Sequence, residues 1–213
     1  MKLYHYVHCP FCVRVRMALG YLQIPFESQV VAYDDEKTPV ALTGKKMLPI
    51  MDMGNGKIQN ESLDIINILD PQNLLQKEHY QNQAPLLETL LNEIGSPVHN
   101  LAMPYWIWTP EFNDSSRKYF VEKKSVKRGP FNQLVQKQDQ YIKQLNLLFA
   151  EKIENHLKPF YQSDKLTLTD IVIAAHLWGV YVVPEYQLPK ALDEYLKRVK
   201  KECRFNYHED FWR

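Results

Sequence analysis

The stretch that decides the fold is Leu3-Tyr4-His5-Tyr6-Val7-His8-Cys9-Pro10-Phe11-Cys12-Val13-Arg14-Val15-Arg16-Met17-Ala18-Leu19-Gly20-Tyr21-Leu22. Leu3–Val7 is short, aromatic and partly β-branched, which predicts a strand. Val13–Leu22 predicts a helix with Val13, Met17 and Gly20-Tyr21 on its inner side. Between them stands Cys9-Pro10-Phe11-Cys12. With Cys9 at the N-cap, Pro10 takes the first helical position, where its missing N–H costs nothing. The Cys9 sulfur then faces the free N–H groups of Phe11 and Cys12, and the positive end of the helix dipole favours its thiolate. Cys12, one turn in, can attack a disulfide formed on Cys9. Thiol–disulfide exchange needs this pair: an exposed attacker of low pKa and a nearby resolver.

The competing use of the two cysteines is a metal site with His5 and His8. Strand alternation sends His5 and His8 to opposite faces, and no second C-x-x-C or H-x₃₋₅-H completes a tetrahedral set. No metal is expected. The third cysteine, Cys203, is far along the chain and reads as incidental. An odd count with one close pair does not suit a secreted disulfide framework.

Working outward, residues 25–31 form a second predicted strand, and Asp34-Asp35-Glu36 the acidic start of a short helix. Leu48-Pro49-Ile50-Met51 is a third strand, Gly54-Asn55-Gly56 a tight turn, and Lys57-Ile58-Gln59 a fourth strand. Ser62 is expected to cap a helix through Ile65, Ile66 and Leu69. The order β-α-β-α-β-β-α predicts a thioredoxin-like α/β domain over residues 1–72. Residues 70–83, with Pro71 and four Gln, read as a linker.

An all-α domain is expected over 84–213. Leu87, Leu90, Leu91, Ile94, Val98 and Leu101 share one helix face, with Gly95 and Pro97 placed to bend it. Phe131 to Leu157 reads as a second long helix. Thr167-Leu168-Thr169-Asp170 is a capping-box variant with Asp in place of Glu, and Leu166 with Ile171 could form the hydrophobic staple. From Asp170 to Val183 almost no polar face remains, which predicts a buried central helix ended by Pro184.

Two further features bear on chemistry. Leu48-Pro49 lies where a cis-proline loop would sit beside the cysteine in such a fold, exposing Leu48 backbone to an extended peptide; an ordinary trans proline is the alternative. Glu61-Ser62 precedes a helix. Its N–H groups and the Ser62 hydroxyl can hold a carboxylate, and Glu61 an ammonium; otherwise Ser62 is a plain cap.

Together, Cys9-Pro10-Phe11-Cys12, Leu48-Pro49, Glu61-Ser62 with Asp64-Ile65, Thr167-x-x-Asp170 and Arg117–Lys124 resemble the two-domain glutaredoxins, which share the glutathione transferase architecture. The resemblance spans nearly the whole chain and is strongest over residues 1–70. It implies a glutathione-dependent thiol–disulfide oxidoreductase that reduces protein disulfides and glutathionylated proteins through the Cys9-Cys12 dithiol. It implies glutathione as cosubstrate, bound by Cys9, Pro10, Phe11, Leu48, Pro49, Glu61 and Ser62, with no tightly bound cofactor. Two departures stand out. Phe11 replaces the family's frequent Tyr, and the tail from Cys203 to Arg213, with Phe205, Tyr207, Phe211 and Trp212, does not match the family.

The rivals are a cysteine-type glutathione transferase or dehydroascorbate reductase, for which Cys12 has no use, and a non-enzymatic interaction or membrane-inserting module. No apolar run approaches the roughly 20 residues needed to span a bilayer. With 26 basic and 25 acidic side chains and a net charge of +1, nothing in the charge points to nucleic acid. The N-terminus lacks a signal peptide's apolar core, so the reducing cytoplasm is the expected setting; separately, a monomer is expected. Arg14 reads as solvated, though a cation near Cys9 would favour its thiolate, as would Arg16. Lys45 and Lys46 read as solvated or as contacts for the glycine carboxylate of glutathione. Met103-Pro104-Tyr105-Trp106-Ile107-Trp108 reads as interface or core, with the border of a cleft as the alternative.

Overall fold

The computed structural model describes residues 1–54 and 56–206. The first part runs β1 (Lys2–His5), α1 (Pro10–Tyr21), β2 (Glu27–Val30), α2 (Lys37–Thr43), β3 (Ile50–Asp52), β4 (Ile58–Asn60) and α3 (Ser62–Leu69), the predicted order. The sheet order is β2-β1-β3-β4. β1 and β2 are parallel, with Leu3 opposite Ser28, as the crossover through α1 requires. β3 runs antiparallel to both β1 and β4, with Met51 opposite Leu3 and Gln59. Asn55, in the predicted turn, lies outside the described residues.

α1 is covered on nearly every side: Cys12, Val13, Val15, Met17, Ala18 and Leu19 are all fully buried. A helix buried all round needs partners all round. It packs on α3 and on the helical part of the chain. At its last turn a Cβ on Gly20 would sit 1.9 Å from the backbone oxygen of Cys203. Only glycine allows that approach, and Cys203, expected to be incidental, is fully buried in the core.

The helices that follow are α4 (Lys77–Gln81), α5 (Ala84–Trp106), α6 (Asp114–Arg128), α7 (Phe131–Gln136), α8 (Gln138–Lys152), α9 (Leu168–Leu177) and α10 (Lys190–Glu202). Four expectations are corrected. The stretch read as a linker is tied down: buried Asp70 accepts from the N–H groups of Leu74 and Leu75, α4 forms, and Leu75 and Tyr80 enter the core. The helix expected from Phe131 is broken at Lys137 (φ −101°, ψ 10°). α9 stops at Leu177, and Trp178–Val182 tightens into a 3₁₀ turn. There Gly179 lets the chain close on α5, where a Cβ would meet the Trp106 ring at 2.8 Å. α6 and α10 were not anticipated, although Leu192, Tyr195, Leu196 and Val199 carry helical spacing, and Asn113 and Ser116 cap α6 reciprocally (2.8 and 3.0 Å).

The N-terminus of α9 is closed. The Asp170 carboxylate accepts from Thr167 N–H (2.9 Å), Thr167 hydroxyl (3.0 Å), Tyr161 N–H (2.8 Å) and Tyr195 hydroxyl (3.0 Å). Leu166 and Ile171 are buried where the staple places them. α1 packs directly on α9, and one apolar core runs from Leu3 and Met51 through α1 into α5, α9 and α10. Among the described residues no helix is long and apolar enough to cross a membrane.

Candidate active site

Cys9 caps α1 in extended conformation (φ −79°, ψ 124°), with Pro10 opening the helix. Its sulfur makes no capping hydrogen bond of the ordinary oxygen kind. The open N–H end therefore acts on the thiol itself. The Cys9 pKa is pushed down to about 7, first by the Cys12 thiol, then by the N–H groups of Cys12 and Phe11 and the charge of Arg14, against the opposing effect of burial. Cys12 goes the other way: burial and the neighbouring Cys9 raise it well above an ordinary thiol, although Tyr6 N–H donates to its sulfur (3.4 Å). Cys9 is partly exposed and Cys12 fully buried. One face of the pair is an accessible thiolate, the other a protonated reserve.

The Leu48–Pro49 bond is cis. Leu48 packs with Cys12, Val31 and Ile50, and Cys9 lies against the same cluster. Leu48 stands outside the strand pairings, which begin at Ile50. The loop and the cysteine thus meet, 40 residues apart in sequence.

Glu61, not Ser62, caps α3, with φ at 68°. A non-glycine residue there is uncommon, and such outliers cluster at functional sites. Ser62 is the first helical residue and is buried, so the correction moves the cap by one and leaves both at the helix N-terminus. They open onto a cavity of about 490 Å³ shared with Phe11, Arg14, Asn92 and His176.

Arg14, expected in solvent, is 4% exposed. α1 has no free face for it to use. Its guanidinium lies 4.7 Å from the Phe11 ring centre, its Nε has no partner, and it lines the same cavity as Glu61 and Ser62. Desolvation pulls its pKa to about 10, so it remains a cation at neutral pH. The absence of a polar stripe on α1 was the available signal.

A second cavity, about 280 Å³, opens at Cys9 itself, between Tyr6, Tyr33, Met103, Trp106, Phe120 and Lys124, and Phe11 borders both. Met103 and Trp106 are therefore core and cleft wall at once, while Trp108 is exposed under Arg117 (4.6 Å). Lys46 is engaged rather than solvated: it pairs with Glu36 (3.1 Å) and Tyr119 (3.1 Å), and the Tyr119 hydroxyl donates to Glu36. This knot joins the loop before Leu48 to α6. His5 bonds Ser28 (2.8 Å), and His8 is enclosed by Tyr6, Tyr33, Trp106, Phe112 and Phe120. Strand β1 ends at His5, so alternation never reached His8. Among the described residues no group of three His, Cys, Asp or Glu could hold a metal ion. Tyr207, Phe211 and Trp212 lie outside the described residues.

Comparison with known proteins agrees with this geometry. Residues 87–210 match the model of the glutaredoxin 2 C-terminal domain, and residues 3–89 that of the glutathione S-transferase N-terminal domain. Glutaredoxin 2 of Escherichia coli K12 is 30% identical over 97% of both chains. The structure of glutaredoxin 2 from Salmonella typhimurium in complex with glutathione superposes with a TM-score of 0.84 at 27% identity, over 98% of this chain and 97% of that one. A glutathione S-transferase of Ceriporiopsis subvermispora shares the fold, with a TM-score of 0.77 at 21% identity over 95% and 97% of the two chains. A C-x-x-C at a helix N-terminus, a cis-proline loop against it and a helical half of matching sequence all converge: the chain belongs to the glutaredoxin 2 family.

Proposed function

We propose that, in this glutathione-dependent thiol–disulfide oxidoreductase, Cys9 makes the attack and Cys12 the resolution. The observation that carries this assignment is the opposite displacement of the two thiols: Cys9 down to about 7 and accessible, Cys12 raised and buried. On a glutathione mixed disulfide, the Cys9 thiolate attacks the glutathione sulfur. A Cys9–glutathione disulfide forms, and the substrate leaves as thiolate and takes a proton. A second glutathione thiolate then attacks that sulfur, releasing glutathione disulfide and the Cys9 thiolate. On a protein disulfide, the Cys9 thiolate attacks one sulfur and releases the other as thiolate; Cys12 then loses its proton and attacks the Cys9 sulfur, breaking its bond to the protein, which leaves as its second thiolate. The resulting Cys9–Cys12 bond is reduced by two glutathiones. Glutaredoxin potentials of roughly −200 to −230 mV let glutathione drive the cycle.

Glutathione fits the cavity that joins Phe11 to α3. Its γ-glutamyl carboxylate matches the Ser62 hydroxyl, the α3 N–H groups and the Arg14 cation, and its ammonium matches Glu61. Its cysteine backbone runs along Leu48-Pro49 as an added strand, over Pro10 and Phe11. The relative solved in complex with glutathione supports glutathione as the ligand. Protein disulfides and glutathionylated proteins are the substrates, the acting form is a monomer, and the reducing cytoplasm is the setting.

The test reads Cys9 alkylation by iodoacetamide against pH, with the labelled residue identified by mass. Below the Cys9 pKa the thiol is protonated and slow, above it ionised and fast. A midpoint near 7 on Cys9 is expected; a midpoint near 9 would remove the basis of the assignment. Glu61→Ala and Ser62→Ala should weaken glutathione-dependent turnover with that midpoint unchanged, and unaltered turnover would return Ser62 to a purely structural place.

A further inference from the structure

α1 carries two arginines, and helical spacing sends them to different faces. Arg14 borders the cavity of Glu61 and Ser62 and is the cation that lowers Cys9. Arg16 follows Cys12 by four residues, so the two share a face, and helical side chains lean back over the preceding turn. Each acts on the other: the charge of Arg16 favours a Cys12 thiolate, and that thiolate favours the guanidinium.

Arg16 is held in an unfavourable place. Its Nη1 is buried without a hydrogen-bond partner, and burial lowers its pKa. The Phe205 ring lies under its Cζ (4.7 Å), a contact that satisfies no N–H. His5 of β1 also faces it, but its pKa is pulled down to about 4, so it is neutral at neutral pH. Glu111, in the loop before α6, acts on Arg16 from a distance, and the two form no ion pair among the described residues. A buried N–H left unpaired is destabilising and calls for a reason.

The resolving thiol supplies that reason. Cys12 is fully buried among Val31, Leu48 and Ile50, and there it has to become an anion. In the free dithiol both burial and Cys9 oppose this. Once Cys9 is bonded to a substrate sulfur its charge is gone, and burial is the obstacle left. The Tyr6 N–H and Arg16 work against it. Of the other titratable groups near Cys12, the Tyr6 hydroxyl stays protonated, its pKa raised by burial, and Arg14 faces the Cys9 cavity. A fixed, unpaired cation is most effective on a charge that exists only during the reaction.

We propose that Arg16 is the positioning residue of the resolving step, acting through Cys12 by holding it as thiolate while it attacks, a role that rests on Cys12 as the resolver. The step balances. The Cys12 thiolate forms a bond to the Cys9 sulfur, and the bond from that sulfur to the substrate protein breaks. The protein leaves with the electron pair and takes up the proton that Cys12 shed. When glutathione later attacks Cys9, Cys12 departs as thiolate into the same field. Exchange of a glutathione mixed disulfide with a second glutathione does not pass through Cys12 and gains nothing from Arg16.

Dithiobis(nitrobenzoate) tests this by reading the two thiols in turn. Cys9 attacks it and releases one coloured nitrothiobenzoate; Cys12 then attacks the Cys9 sulfur and releases the second. Both releases are timed across pH in the full-length protein, and mass confirms the Cys9–Cys12 bond. Cys203 is buried with its pKa raised, and it stays out of the reaction. Arg16→Met keeps the apolar stem and removes the charge. The pH midpoint of the second release should rise by about one unit. Below that midpoint the second release should slow about three-fold, because a roughly ten-fold smaller thiolate fraction is partly offset by greater nucleophilicity. The first release should be unchanged, and Arg16→Lys should restore most of the second. A merely structural Arg16 would lower stability and leave the midpoint where it was. An unmoved midpoint, equal slowing of both releases, or Arg16→Lys as slow as Arg16→Met would overturn the proposal. Arg16→Gln, with the same outcomes expected, is the second variant should methionine prevent folding. Absence of a second release from the unaltered protein is a separate result, and it sinks Cys12 as the resolver.

Discussion

The N-termini of α1 and α9 face the same elementary problem, because the first N–H groups of any helix have no partner within it. α9 solves it by closure. Thr167 and Asp170 cap one another, and Asp170 collects two further donors from Tyr161 and Tyr195, all out of solvent. α1 leaves its end open: the N-cap is a cysteine, without the oxygen that would satisfy the N–H groups, so their field falls on the sulfur. The two ends are joined through the packing of α1 on α9. A closed end makes a rigid support, and an open end set on that support makes a reactive thiolate.

The largest expected effect separates the two thiols of the open end. Cys9→Ser should reduce turnover of every disulfide substrate by about three orders of magnitude or more, as removal of a covalent nucleophile does. Cys12→Ser should retain reduction of glutathione mixed disulfides, which need only Cys9 and a second glutathione. Steady-state assays on both substrate types check this, and equal losses in the two variants would erase the distinction between attacker and resolver.

The closed end should fail as structure, not chemistry. Asp170→Ala strands several buried donors at once, and breaking such a network costs roughly 3–5 kcal/mol. Thermal unfolding should shift down by about 10 °C, with near-normal specific activity in the folded fraction. A shift too small to measure, or lost activity in fully folded protein, would break the contrast between the two ends.

Arg14, in the second turn of α1, sharpens the comparison because it belongs to the open end yet is buried like the closed one. Arg14→Met keeps the packing on Phe11 and removes the charge. A charge-assisted hydrogen bond contributes roughly 1.5–3 kcal/mol, so KM for glutathione should rise about ten-fold or more. The Cys9 pKa should also rise modestly, since Arg14 is among the groups that lower it. Unaltered KM in a folded variant would leave Arg14 as packing only.

What the sequence determined by itself is what short-range backbone physics reaches. A proline after a cysteine, a C-x-x-C at a strand-to-helix step, Glu61-Ser62 before α3 and the Thr167–Asp170 box are each complete within a few residues. The strand and helix order of the first 70 residues followed from them, as did the cysteine pair. The burial of Arg14, the cleft wall made by Trp106 and Phe120, and the Lys46–Tyr119–Glu36 knot depend on residues tens of positions apart, and no local pattern encodes which helix will cover which face. α6 escaped notice because Ser116 and Phe120 are its only buried residues, too few to set a period. The tertiary structure alone decided that Lys124, Lys127 and Arg128 of this helix would line the cavity that Cys9 borders.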